Sequence, residues 1–171
     1  LCQDYVRESG AMNINAYDME TTLAGQGTLG LELEEQAPDL DKILVAVGGG
    51  GLIGGIASWY QTKSKIIGVE PETCNCLHDA LAAGSAVTIK PSGLATDSLG
   101  ASAAGSLMFP IAQEYVDHVA LVTDEDIRNA QRWLWIHAQI VTEPGGATAL
   151  AALLSGSYKP AKGERVGVIV C

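Results

Sequence analysis

Four consecutive glycines, Gly48-Gly49-Gly50-Gly51, separate a short apolar run from a helical pattern, and this junction constrains the fold more than anything else in the chain. The run before them, Ile43-Leu44-Val45-Ala46-Val47, is rich in β-branched residues and stops abruptly at glycine. That is the pattern of a parallel strand buried on both faces. After them, Leu52 to about Tyr60 carries Ile53, Ile56 and Ala57 at helical spacing. Lys65-Ile66-Ile67-Gly68-Val69 reads as the next strand and closes a βαβ unit. In such sheets ligands sit beyond the C-terminal ends of the strands. Consecutive glycines there let backbone N–H groups approach an anion with no Cβ in the way. The helix dipole adds about half a positive charge. A tight turn alone would need one glycine, not four.

The rest of the chain continues the alternation. Thr21 to about Gln36 has helical spacing at Leu23, Leu29, Leu31 and Leu33, and Gly25 and Gly27 within it predict close approach of another backbone. Cys76 to Ala83 reads as a helix stopped by Gly84. Lys90 to Gly105 is rich in Ser, Gly and Ala and reads as a long loop. Tyr115 to Val122 is predicted as a strand. Thr123-x-x-Asp126 then caps a helix carrying Ile127, Ala130, Leu134 and His137. Trp133 and Trp135 on that helix cannot both face one core side. Glu143-Pro144-Gly145-Gly146 starts a helix from Ala147 to Leu154, ended by Gly156, and Arg165 to Val170 is a buried strand with Cys171 at its end. The expected class is α/β, a mostly parallel twisted sheet flanked by helices.

Charge and composition exclude several functions. Net charge is −10 over 171 residues, which argues against nucleic acid and anionic membrane surfaces. Any phosphate must then be held by local N–H groups rather than a basic field. No apolar stretch is long enough to span a membrane. The start, Leu1-Cys2-Gln3-Asp4, has neither the charge nor the apolar run of a signal peptide. It lacks an initiator Met, so the chain reads as processed or as a piece of something longer. Cys2, Cys74, Cys76 and Cys171 form no C-x-x-C pair and fit free thiols in a reducing cytoplasm.

Two ligands fit the glycine loop. Gly49-x-Gly51-x-x-Gly54 matches the dinucleotide fingerprint G-x-G-x-x-G, with Glu70 at the end of the next strand for a ribose hydroxyl. A second reading uses more of the chain. The segments Ala24-Gly25-Gln26-Gly27-Thr28, Val47-Gly48-Gly49-Gly50-Gly51-Leu52, Gly68-Val69-Glu70-Pro71 and Thr142-Glu143-Pro144-Gly145-Gly146 resemble, in order and spacing, the fold-type-II pyridoxal-phosphate enzymes, and specifically the threonine/serine dehydratases.

The resemblance implies that residues 1–171 are the cofactor-phosphate-binding large-domain portion of such an enzyme. Gly48, Gly49, Gly50, Gly51 and Leu52 would then bind the phosphate of pyridoxal 5'-phosphate. Cys171 would face the pyridine nitrogen, as a neutral partner favouring β-elimination; on its own it also reads as a small core residue. Glu143 would lie near the cofactor ring, which is compatible with a first-turn glutamate at a helix N-terminus. Glu70 matches a carboxylate that in some relatives belongs to a cation site, but Cys76 stands where that site has an aspartate, so no metal is expected. Cys74-x-Cys76-x-His78 lacks a clear fourth ligand for zinc. Asn15-Ala16-Tyr17-Asp18 and the loop Gly93 to Ala101 fall near the substrate pocket by the same comparison. The family's Schiff-base lysine lies in an S-x-K segment, and none of Lys42, Lys63, Lys65, Lys90, Lys159 or Lys162 does. That lysine and the small domain are expected upstream, leaving no catalytic residue here. The implied reaction removes water from L-threonine or L-serine to give a 2-oxo acid and ammonia. The implied setting is a cytoplasmic homo-oligomer acting on a small-molecule amino acid. A serine racemase, another hydroxy-amino-acid lyase, or a nucleotide-binding module without catalysis are the alternatives.

Overall fold

The computed structural model describes residues 2–171. Four strands form one parallel sheet in the order β3-β2-β1-β4. They are β1 (Lys42–Ala46), β2 (Lys65–Pro71), β3 (Val116–Val122) and β4 (Val166–Val168). β1 is central. It pairs with β2 from Lys42↔Lys65 to Ala46↔Val69, and with β4 from Lys42↔Val166 to Leu44↔Val168. Being covered on both sides, it needs apolar residues at every position, hence the unbroken run Ile43 to Val47.

Alternation along β1 divides the core into two layers. Ile43, Val45 and Val47 point into one, filled by Leu23 of α2 (Glu20–Gln36), Ile53 and Ile56 of α3 (Gly51–Tyr60), Leu77 of α4 (Cys76–Ala83), and Met108 and Ala112 of α6 (Met108–Tyr115). Leu44 and Ala46 point into the other, against Ile127 and Ala130 of α7 (Asp124–Trp133) and the small side chains Ala147, Ala149, Ala151 and Ala152 of α8 (Pro144–Ser155). Alanine on that face of α8 lets the helix lie close to the sheet.

α2 and α3 pack by backbone approach. A Cβ on Gly55 would stand 2.6 Å from the Gly27 nitrogen and the Leu23 oxygen. The expected close contact therefore runs through Gly27. Gly25 takes no part in it: a Cβ there meets nothing within 4 Å. Leu31, read as part of the apolar stripe, is exposed.

Several boundaries differ from the sequence reading. The Lys90–Gly105 loop contains a one-turn helix, α5 (Thr96–Leu99), which buries Leu99. Helices α1 (Cys2–Ser9) and α6 had no counterpart in that reading. Thr123 forms the capping box: its Oγ1 accepts from the Asp126 N–H at 3.2 Å, and Asp126 Oδ2 accepts from the Thr123 N–H at 2.9 Å. The helix it starts does not stay α to His137. It becomes a π-helix over Leu134–Ala138, and both Trp133 and Trp135 are exposed. The last strand is shorter than Arg165 to Val170, because its ladder ends where the Ile169 N–H reaches the Leu44 oxygen. Among the described residues no helix is long and apolar enough to cross a membrane.

Candidate active site

β1 delivers the chain to the C-terminal edge of the sheet, where Gly48, Gly49 and Gly50 turn it into α3. Gly50 is the N-cap of α3, with φ 94°. That left-handed conformation is what glycine adopts without strain. Gly49 lies under the Tyr17 ring, which leaves no room for a Cβ, and a Cβ on Gly51 would stand 2.8 Å from Tyr17 Cα. Residue 17 thus packs directly on the loop, with room only for glycine between them.

The hydrogen-bond pattern of the loop is lopsided. Its carbonyls are engaged: Gly48 O accepts from Cys76, Gly49 O from the Gly105 N–H, and Gly50 O from the Gly54 N–H. Its donors are not. Among the described residues no protein acceptor takes the N–H of Gly48, Gly49, Gly50, Gly51 or Leu52. Gly50 and Gly51 are buried, and buried N–H groups without partners are rare unless a ligand supplies the acceptor.

A cleft of about 260 Å³ opens on these amides. Its lining joins the loop, Gly48 to Leu52, to Tyr17, Gln26, Ser98 and Cys171, with no lysine or arginine. An anion here would be held by N–H groups and the positive end of α3 alone. Ser98 belongs to α5. Its Oγ donates to the Ala95 oxygen and accepts the Gly145 N–H at 3.1 Å, tying the first turn of α8 to the cleft wall.

Cys171 lies three residues past the end of β4, exposed at the cleft rim, with its carbonyl against Gly146. Partial desolvation of the sulfur, and after it the negative charge of Glu143, hold its thiol pKa above the ordinary value, so the group is a neutral S–H. Glu143 is the N-cap residue of α8, exposed, with no capping hydrogen bond from its side chain. It sits near Cys171 but does not line the cleft.

Glu70 has a different place from either role considered for it. It is fully buried, its Oε1 accepting from the Leu77 N–H at 2.9 Å and its Oε2 from the His78 N–H at 2.8 Å. It closes the N-terminus of α4 and is not available to a ribose. Burial raises its pKa to about 7 against those two donors. Cys74 donates to the Ser92 oxygen, Cys76 to the Gly48 oxygen, and His78 pairs with Asp79, so these three do not converge. Among the described residues no three His, Cys, Asp or Glu side chains form a metal-binding group.

All 171 residues match the family described as pyridoxal-phosphate dependent enzyme. The chain belongs to that family. Within it, the catabolic L-threonine dehydratase TdcB of Escherichia coli K12 is 38% identical over 156 residues, which are 90% of this chain and 47% of that protein. The serine racemase of Oryza sativa subsp. indica is 32% identical over 170 residues, 95% of this chain and 50% of that one. Among solved structures, the T.th. threonine deaminase superposes with a TM-score of 0.92 at 32% identity, covering 99% of this chain and 63% of that chain. Maize serine racemase gives 0.91 at 34% identity, with 98% and 53% covered. This chain spans about half the length of the curated relatives it matches.

The family's cofactor is pyridoxal phosphate, and the parallel sheet with helices on both faces is the expected fold class. Gly54, the third glycine of the dinucleotide fingerprint, packs inside α3 against Met108 and Leu23, away from the cleft. Ser98 and Gln26 lie in segments that the motif comparison marked, but only the structure singles them out as lining the cleft. Asp18, beside Tyr17, serves the scaffold: Oδ1 accepts the Leu107 N–H at 2.8 Å and Oδ2 the Ser106 hydroxyl at 2.9 Å, at the entrance to α6.

Proposed function

We propose that residues 1–171 form the cofactor-phosphate-binding portion of a pyridoxal-phosphate-dependent L-threonine/L-serine dehydratase. One observation carries the reading: among the described residues, the five consecutive amides of Gly48 to Leu52 have no protein acceptor, and the cleft that these residues line holds no basic side chain. A phosphate ester would supply the acceptors they lack, and it would meet no cationic side chain of the described residues in the cleft. When bound, pyridoxal phosphate supplies the electron sink for breaking bonds at an amino acid's α-carbon.

The chain's own groups set how that cofactor would sit. Gly48 to Leu52 would fix the phosphate. Cys171, a neutral thiol, would meet the pyridine nitrogen without adding charge. Ser98 would hold the α8 N-terminus against the same wall. No lysine among the described residues lines the cleft, and the family likeness supports proton removal by a lysine outside them. The likeness to a threonine dehydratase and a threonine deaminase supports elimination of water, giving a 2-oxo acid and ammonia. Serine racemases match the same residues nearly as well. The free thiols fit a cytoplasmic setting, and the exposed Trp135, Ile136 and Val141 fit a homo-oligomer.

The test is product analysis with the complete polypeptide. L-threonine and L-serine should each release a 2-oxo acid and ammonia in equal amounts. Formation of D-serine without 2-oxo acid would overturn the dehydratase reading in favour of racemization.

A further inference from the structure

Cys76 begins α4 and does not line the cleft, yet its thiol reaches the glycine loop. Its Sγ lies 3.3 Å from the Gly48 oxygen and 3.7 Å from Glu70 Oε1, and the residue is fully buried. Among the described residues no other donor reaches the Gly48 carbonyl. A peptide unit is planar and trans, so its C=O and N–H point in opposite directions. Fixing the Gly48 carbonyl therefore fixes the Gly49 N–H, one of the amides that open on the cleft.

We propose that Cys76 is a positioning residue for cofactor binding, its thiol anchoring the Gly48 carbonyl so that the Gly49 amide is already aimed at the phosphate. The proposal rests on the reading of the loop as the phosphate cradle. Three features of the surroundings support it. Burial and the neighbouring Glu70 carboxylate push the Cys76 thiol up to about 12, so it stays protonated, and of its two acceptors the Gly48 oxygen is the nearer. Glu70 is itself pinned by two N–H groups of α4, so the sulfur is carried on a rigid base. The loop has no side chains of its own to fix its peptide planes, which leaves its order to contacts from neighbouring elements. The metal site implied by the likeness to some relatives does not fit here: Glu70 has both oxygens engaged, and a protonated thiol is a poor donor to a hard cation.

The test compares the affinities of the apo form of the complete polypeptide for pyridoxal phosphate and for pyridoxal, by fluorescence titration. Their ratio isolates the phosphate contribution. Cys76→Ser keeps a donor of similar size. Cys76→Ala and Cys76→Val both remove it, one under-filling and one over-filling the site, so failure of either to fold leaves the other to report. The expected result is a ratio roughly three- to tenfold lower in Cys76→Ala and Cys76→Val, and within about twofold of the parent in Cys76→Ser. The proposal is overturned by an unchanged ratio in the donor-less variants, or by a loss in Cys76→Ser equal to theirs. It is also overturned by equal losses for pyridoxal and pyridoxal phosphate, the mark of a packing role. A parent protein that binds the two probes equally well would sink the loop reading itself, whatever Cys76 does.

Discussion

Gly50 shows how one backbone angle ties fold to site. Its φ of 94° places the α3 N-terminus at the cleft, and a Cβ there would collide with the Met108 side chain. Gly50→Ala should cost about 2 kcal/mol in urea denaturation, from left-handed strain plus displacement of Met108. Its pyridoxal phosphate affinity should fall as well. Glu70 gives a pH signature. Its folded pKa of about 7 lies above the ordinary 4.5, so the folded protein binds a proton that the unfolded chain has released. The stability tied to that proton is complete below pH 4.5 and is lost as pH rises through 7. The loss is on the order of 3 kcal/mol at most. Stability measured from about pH 5 to 8 should fall with a slope that Glu70→Gln flattens; an identical slope in the variant would contradict the assignment. The glycine run was visible in the sequence by itself, whereas Cys171 became a candidate only through the family resemblance, since a cysteine at a strand end reads equally as a small core residue. The role of Glu70 was not, because one carboxylate at a strand end suits a ribose, a cation or a helix N-terminus equally until its partners are placed.

At the scale of elements, the α2–α3 contact separates two glycines of one motif. Gly55→Ala should destabilise the protein by about 3 kcal/mol, since the new methyl meets backbone atoms of Gly27 and Leu23 that cannot swing away. Gly25→Ala should instead stabilise by about 0.5–1 kcal/mol, because the position is helical with open space around it. Equal destabilisation by both in thermal or chemical unfolding would contradict this packing. The sequence marked Gly25 and Gly27 alike and could not rank them, since helical phase alone does not say which comes closest to a neighbour. Strands β1 to β3 and helices α3, α4, α7 and α8 were legible from period, caps and stop signals. Helix α6 was not: it carries Pro110 in its first turn and has no side-chain cap. The π turn after Trp133 was hidden too, because Ile127, Ala130 and Leu134 keep an apolar spacing that a short π segment hardly disturbs.

At the scale of the molecule, the cleft is lined by no lysine among the described residues. Lys42, Lys65 and Lys162 surround a separate hollow beside Asp41 and Glu164, residues at and before the starts of β1, β2 and β4. Expressed alone, the 171-residue chain should produce no 2-oxo acid from L-threonine or L-serine. Turnover by that polypeptide would mean that a catalytic group within it has gone unrecognised. The central claim is that Gly48 to Leu52 hold the cofactor's phosphate, and a crystal structure of the complete polypeptide with pyridoxal phosphate tests it most directly. The predicted result is phosphate oxygens within hydrogen-bonding distance of the amides of Gly48 to Leu52, with no lysine or arginine from these 171 residues in contact. A phosphate seated elsewhere, with those amides turned to other acceptors, would contradict it.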